Sequence, residues 1–141
     1  MSTLERAIVL SAQTHAGQVD KAGQPYILHP LRVMLAVTTP DERIAAVLHD
    51  IVEDTTVTFA DLQREGFSTD VVDAVRALTK TTGEGRIAAA NRAAANPIAR
   101  RVKLADVADN MNLARIPNPT EKDYARLKEY EQVRALLLGQ S

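Results

Sequence analysis

Apolar residues recur along this chain at three- and four-residue intervals, and strand-type alternation is nearly absent. Ser2 with Glu5 reads as a capping box ahead of Leu4, Ala7, Ile8, Ser11 and Ala12, one face of an amphipathic first helix. Gly17, Gly23 and Pro25 then break the chain into a loop. Pro30 suits the first position of a second helix, with Val33, Met34 and Val37 on its apolar side. Thr39-Pro40-Asp41-Glu42 is a third start: a cap, a proline, and acids where they favour the helix dipole. This third helix is expected to carry Ile44 through Asp54. Thr58 caps a short helix that Gly66 ends, and Ser68 or Thr69 begins another with Val71, Val72, Val75 and Leu78 facing in. After a loop from Thr81 to Gly85, the alanine-rich stretch 87–95 is helical by propensity. Asn96-Pro97 begins a helix expected to reach about Arg115, and Pro117 and Pro119 interrupt the chain. Thr120 with Asp123 caps a last helix packed through Leu127, Val133 and Leu137. The pattern predicts an all-α fold, a single domain over 1–141.

Polar chemistry gathers at three separated places. His49-Asp50-Ile51-Val52-Glu53-Asp54-Thr55 puts one imidazole and three carboxylates directly after Ile44-Ala45-Ala46-Val47-Leu48, a run apolar enough to be buried. On one helix His49 and Glu53 lie a turn apart, as do Asp50 and Asp54. Burying that much charge is costly unless a cation neutralises it. The second place is His29, just before Pro30, which disfavours the α region and sets His29 at the mouth of a helix. The third is Asp106, after Val102-Lys103-Leu104-Ala105.

Each residue has a plainer reading when taken alone. His29 then opens a helix and bonds a backbone group, Asp106 is a surface acid, and the His49 stretch is a solvated helix end. Together, two imidazoles and two carboxylates from three helices make a mixed nitrogen and oxygen site, which suits Mn²⁺, Fe²⁺ or Zn²⁺. An open coordination position acidifies a bound water near neutral pH. Glu53 and Asp54 stand where they orient that water or relay its proton. His15 is read as capping or packing the end of the first helix, and Asp109 as facing solvent or pairing locally.

Composition narrows the picture without redirecting it. The 141 residues are 45% hydrophobic and 25% charged, ordinary for a globular protein. A net charge of −1 gives no reason to expect a nucleic-acid or membrane partner. There is no cysteine, which rules out disulfides, thiolate zinc sites and thiol catalysis. The first residues carry neither a basic nor an apolar signal-peptide region. No apolar run approaches the ~18 residues that span a bilayer. A cytoplasmic protein is the expectation.

The motifs then carry a resemblance. His29, the pair His49-Asp50 and Asp106 are similar to the pattern of HD-domain metal-dependent phosphohydrolases. More closely, Gly23-Gln24-Pro25-Tyr26-Ile27-Leu28-His29-Pro30, then His49 to Thr55, then Val102 to Asp106 and Asn110 resemble the hydrolase half of RelA/SpoT proteins and the small standalone alarmone hydrolases. The resemblance covers the chain from the first helix to Tyr130. It implies a helical HD bundle holding one divalent metal, Mn²⁺ foremost, through His29, His49, Asp50 and Asp106. It implies that Glu53 and Asp54 serve the attacking water, and that the reaction removes the 3′-pyrophosphate of (p)ppGpp. It implies contacts with the nucleotide from Lys21, Asn110 and Tyr130. Three features depart from the family pattern. Asp20 stands where arginine commonly precedes the lysine, so that it faces substrate phosphate with like charge. Val107 follows Asp106 where arginine is usual. The stretch between Lys80 and Asn96 offers few groups to grip a nucleotide. These departures leave another nucleotide or phosphate ester as an alternative substrate. A nucleotide-sensing HD module without turnover is a further alternative.

Overall fold

The computed structural model describes residues 2–139. Met1, Gln140 and Ser141, at the ends of the expected 1–141 domain, lie outside the described residues. The helices are α1 (Leu4–Thr14), α2 (Leu28–Leu35), α3 (Pro40–Leu48), α4 (Ile51–Asp54), α5 (Phe59–Arg64), α6 (Thr69–Leu78), α7 (Arg86–Ala94), α8 (Pro97–Asn110) and α9 (Glu121–Leu137), with a 3-10 turn at Leu113–Arg115. Among the described residues the one β-type pairing is an isolated bridge between Val19 and Pro25, which pins the loop after α1. The all-α expectation holds.

The hub is α3. It packs against α1, α2, α6 and α8, and Ile44, Ala45, Ala46, Val47 and Leu48 are all buried. A helix apolar all round can only lie inside. Its N-terminus is closed by the expected capping box: Glu42 N–H donates to the Thr39 hydroxyl and the Glu42 carboxylate answers the Thr39 amide. Glu42 also accepts from Arg101 of α8 at 2.8 Å, which ties the start of α3 to its neighbour. A second, smaller apolar cluster joins α7, α8 and α9 through Ala90, Val107, Val133 and Leu137. The two clusters flank the cleft described below.

The other stop and start signals act largely as the pattern predicts. Thr58, Ser68, Asn96 and Thr120 cap α5, α6, α8 and α9. Gly66 ends α5 at a φ of 88°, with Phe67 N–H reaching Leu62 O and Gly66 N–H reaching Gln63 O, a Schellman closure that only glycine enters without strain.

Four boundaries differ. The cap of α1 is Thr3, accepting from Arg6 N–H, rather than Ser2, whose own N–H donates to Gly66 O instead. The second helix starts at Leu28, so His29 lies inside it. The Leu28 and His29 amides bond Pro25 O and Tyr26 O, and Pro30 loses nothing in a first turn whose N–H groups have no helical partners. The third helix does not run unbroken to Asp54: it stops at Leu48, and Asp50 sits at φ −101° and ψ 0°, in the bridge region. Finally, α8 stops at Asn110, because the Asn112 side chain caps the 3-10 turn through Ala114 N–H and so competes with helix continuation.

Burial opposes ionisation of Glu42, but the bond from Arg101 and the amides of Thr38 and Thr39 outweigh it and hold the carboxyl below its ordinary value. A lowered folded value stabilises the fold above the unfolded value of about 4.3 and is lost as pH falls through the folded one. Acid titration of stability is therefore expected to show a limb below about pH 4.3 that flattens in Glu42→Gln, with Glu42→Gln already weaker at pH 7. Superimposable acid limbs for the two proteins would show that Glu42 contributes nothing through its charge.

Candidate metal centre

The break after α3 shapes the site. Neighbours on a straight helix point about 100° apart. The turn at Asp50 lets His49 Nε2 and Asp50 Oδ2 come within 3.0 Å. α2 brings His29 and α8 brings Asp106 to the same point. His29 Nε2 lies 2.9 Å from Asp106 Oδ1 and 3.8 Å from Asp50 Oδ2, and His49 Nε2 lies 3.4 Å from Asp106 Oδ1. One ligand atom each from His29, His49 and Asp50 falls within 4.8 Å of the others, and Asp106 joins through the two imidazoles. His29, His49 and Asp106 are buried and Asp50 nearly so.

The His49 ring tests whether a cation suits this place. Its Nδ1 stands 2.6 Å from Ala46 O, an acceptor only, so Nδ1 carries a proton and Nε2 is the nitrogen turned to the cluster. That Nε2 is buried and makes no well-directed hydrogen bond, although two carboxylate oxygens stand close. Two imidazole nitrogens and an Asp50 oxygen within 4.8 Å of one another, with Asp106 beside both rings, fit a divalent ion.

The electrostatics are those of a charge cluster that trades protons for a cation. Burial lowers the imidazolium pKa of His49, but Asp50 and Asp106 overcome it and hold that pKa well above the ordinary value. For His29, burial is likewise outweighed by the bonds to Asp106 and Asp109. Burial disfavours the Asp106 carboxylate, and Lys103 with His49 and His29 more than reverses this. Lys103 Nζ stands 3.0 Å from Asp106 Oδ2, and Asp106 in return keeps Lys103 protonated. Asn110 Nδ2 donates to Asp106 Oδ1 at 3.1 Å, and the Tyr26 hydroxyl donates to Asp50.

The cluster forms one wall of a cavity of about 500 Å³, which also takes in Glu53, Asp54, Lys21, Asn110 and Tyr130. Glu53 accepts from the Lys80 amide. Burial, with the charge of Asp50, raises the carboxyls of Glu53 and Asp54 above their ordinary values, and Asp54 adds to the effect on Glu53. Thus all nine residues named from the sequence as candidate ligands, water-handling acids or nucleotide contacts meet the same cavity.

Several groups went unread. Lys80, Arg86, Lys103, Arg115 and Arg126 join Lys21 around the cavity, six cations in all. Arg86 comes from the alanine-rich stretch expected to offer little, and its guanidinium stacks over Tyr130 at 4.9 Å. Lys103 had a signal in its spacing, one turn before Asp106. Asp20 does not face substrate as an open charge. Its Oδ1 accepts from the Ala22 and Gln24 amides, and its Oδ2 lies 3.5 Å from Arg115. Val107 is buried in the α7–α9 cluster. Asp109 is not a solvent-facing acid: it bonds His29, Arg32 and Arg115. His15 does cap α1 and is buried, with Gln18 at Nδ1.

A buried imidazole–carboxylate cluster at the meeting of three helices defines a metal-site helical domain. The family model described as the HD domain matches residues 7–140, and the chain belongs to that family. HD domains hold divalent metal. Over 145 aligned positions the chain is 32% identical to a GTP pyrophosphokinase of Myxococcus xanthus, covering 92% of this chain and 19% of that protein. It is 37% identical over 81 positions to a guanosine-3′,5′-bis(diphosphate) 3′-pyrophosphohydrolase of Aquifex aeolicus, covering 55% of this chain and 12% of that one. The chain thus spans less than a fifth of the length of these curated relatives. A solved structure of a metazoan SpoT ortholog, described as hydrolysing ppGpp, shares the fold at a TM-score of 0.79 and 24% identity, over 98% of this chain and 86% of that one.

Because both imidazoles hold protons more tightly than usual, a divalent ion has to displace them. Calorimetric titration with Mn²⁺ at pH 7, repeated in buffers of different ionisation enthalpy, is expected to show proton release and weaker binding at lower pH. Binding heats independent of the buffer would contradict this protonation state.

Proposed function

We propose that this chain is a metal-dependent phosphohydrolase that removes the 3′-pyrophosphate of (p)ppGpp, with Mn²⁺ as its ion. The observation that carries the reading is a quartet of two imidazoles and two carboxylates opening into a cavity ringed by cations. His29, His49, Asp50 and Asp106 are the ligands. When bound there, a divalent ion supplies Lewis-acid polarisation of a phosphoryl oxygen and an acidified water.

The remaining chemistry belongs to the side chains. Water adds to the phosphorus on the ribose 3′ oxygen, the bond between them breaks, and the 3′ oxygen takes a proton. Glu53 and Asp54 are the carboxylates that orient the attacking water and accept its proton. Their raised values bring them nearer to neutrality, where a carboxylate accepts a proton most effectively. The Lys80 amide fixes the Glu53 carboxylate. A substrate with two diphosphates carries several negative charges, and Lys21, Lys80, Arg86, Lys103 and Arg126 stand around the cavity to meet them. Asn110 and Tyr130 complete the nucleotide contacts. The relatives named for guanosine-3′,5′-bis(diphosphate) pyrophosphohydrolysis support the choice of substrate.

A second reading keeps the reaction and changes the substrate to another nucleotide or phosphate ester. The observation in its favour is at the two departures: Val107 is spent on packing and Asp20 on its own loop and Arg115.

The test is incubation of the pure protein with ppGpp and Mn²⁺, following GDP and pyrophosphate. Both products are expected, and Asp50→Ala and Asp106→Ala are expected to abolish metal binding and turnover together. Glu53→Gln is expected to keep the metal and lower kcat by about 100-fold or more. Turnover of a different phosphate ester, with ppGpp untouched, favours the second reading. Full activity in either aspartate variant means the ligands are misassigned.

A further inference from the structure

His29 and Arg32 lie one turn apart on α2, and Asp106 and Asp109 lie one turn apart on α8. The two pairs face each other as rungs. His29 Nε2 meets Asp106, while its Nδ1 stands 2.6 Å from Asp109 Oδ2. Arg32 grips the same carboxylate with two donors, Nε to Oδ1 at 2.8 Å and Nη2 to Oδ2 at 3.1 Å. Arg115, beyond the end of α8, donates to Asp109 O at 2.9 Å and approaches its Oδ2 at 3.4 Å. The other end of Arg115 lies 3.5 Å from Asp20 Oδ2, and Asp20 Oδ1 holds the amides of Ala22 and Gln24. A continuous line of contacts therefore runs from a candidate ligand to the loop that carries Lys21.

We propose that Asp109 is a positioning residue for the metal centre: it accepts the hydrogen bond from His29 Nδ1–H, aims Nε2 at the ligand cluster, and through Arg115 ties the Lys21 loop to that ligand. One general rule and one set of contacts carry this. A carboxylate behind a ligand imidazole fixes its tautomer and ring rotation. Two guanidiniums hold the carboxylate from the far side, so it cannot swing away from the ring. The inference rests on the metal-site reading above and assigns a residue outside the four ligands.

The experiment uses Co²⁺ as probe, with affinity by calorimetry and ligand geometry by the visible absorption of the bound ion. The full chain is compared with Asp109→Asn and Asp109→Leu, each checked for helical content. Affinity is expected to fall about tenfold in Asp109→Asn, which keeps one acceptor oxygen, and towards 100-fold in Asp109→Leu, with an altered Co²⁺ spectrum. Amide exchange at Ala22 and Gln24 is expected to quicken in Asp109→Leu and in Arg115→Gln. Should Asp109→Leu fail to fold, Asp109→Asn decides the affinity and Arg115→Gln the loop. An unchanged spectrum and affinity in a folded variant overturns the positioning role, and unchanged exchange overturns the tie to the loop. Failure of the unaltered chain to take up Co²⁺ is a different result: it removes the metal site itself.

Discussion

Each of two imidazoles stands within 3.8 Å of both of two carboxylates at the buried end of α3, and much of the molecule around them compensates for that charge. Unpaired charges of this kind cost several kcal/mol each in a protein interior. The chain offsets the cost from several directions. Lys103 and Asn110 bind Asp106, Tyr26 binds Asp50, Ala46 O fixes His49, and Asp109 holds His29. What the protein partners leave open is His49 Nε2, beside His29, Asp50 and Asp106.

The fold serves that centre through one apolar helix. Five consecutive buried residues from Ile44 to Leu48 hold α3 among α1, α2, α6 and α8, so its C-terminal end is fixed. The turn at Asp50 then brings the side chains of two adjacent residues, both candidate ligands, to within 3.0 Å of each other. Beyond the turn, α4 is a single turn of helix that carries Glu53 and Asp54 along the cavity wall. The second apolar cluster supplies the opposite wall, with Arg86 stacked on Tyr130. Among the described residues no helix is long and apolar enough to cross a membrane.

The parts legible in the sequence are those set by local chemistry. Capping residues with acids three positions on, prolines in first turns and a glycine after α5 marked most helix ends. The four candidate ligands were legible because each follows or opens an apolar helical run, which is where a polar group has no local reason to be. What was not legible depends on contacts between distant segments. Asp109 looks like a surface acid until α2 packs on α8 and brings His29 and Arg32 to it, 80 and 77 positions away in sequence. Asp20 looks like an open charge until Arg115 arrives. The break at Asp50 was missed because Ile51 to Asp54 continues the helical pattern, and only the pull of the ligand cluster on Asp50 distinguishes a turn from a straight helix.

The central claim is that these four side chains hold one divalent ion. It is tested most directly by anomalous X-ray scattering from crystals of the full chain grown with Mn²⁺. The account predicts one strong peak, bounded by His29 Nε2, His49 Nε2 and carboxylate oxygens of Asp50 and Asp106, at roughly 2.0–2.3 Å from each, the span of transition-metal nitrogen and oxygen bonds. A peak elsewhere, or none between the two imidazoles at saturating Mn²⁺, would contradict it.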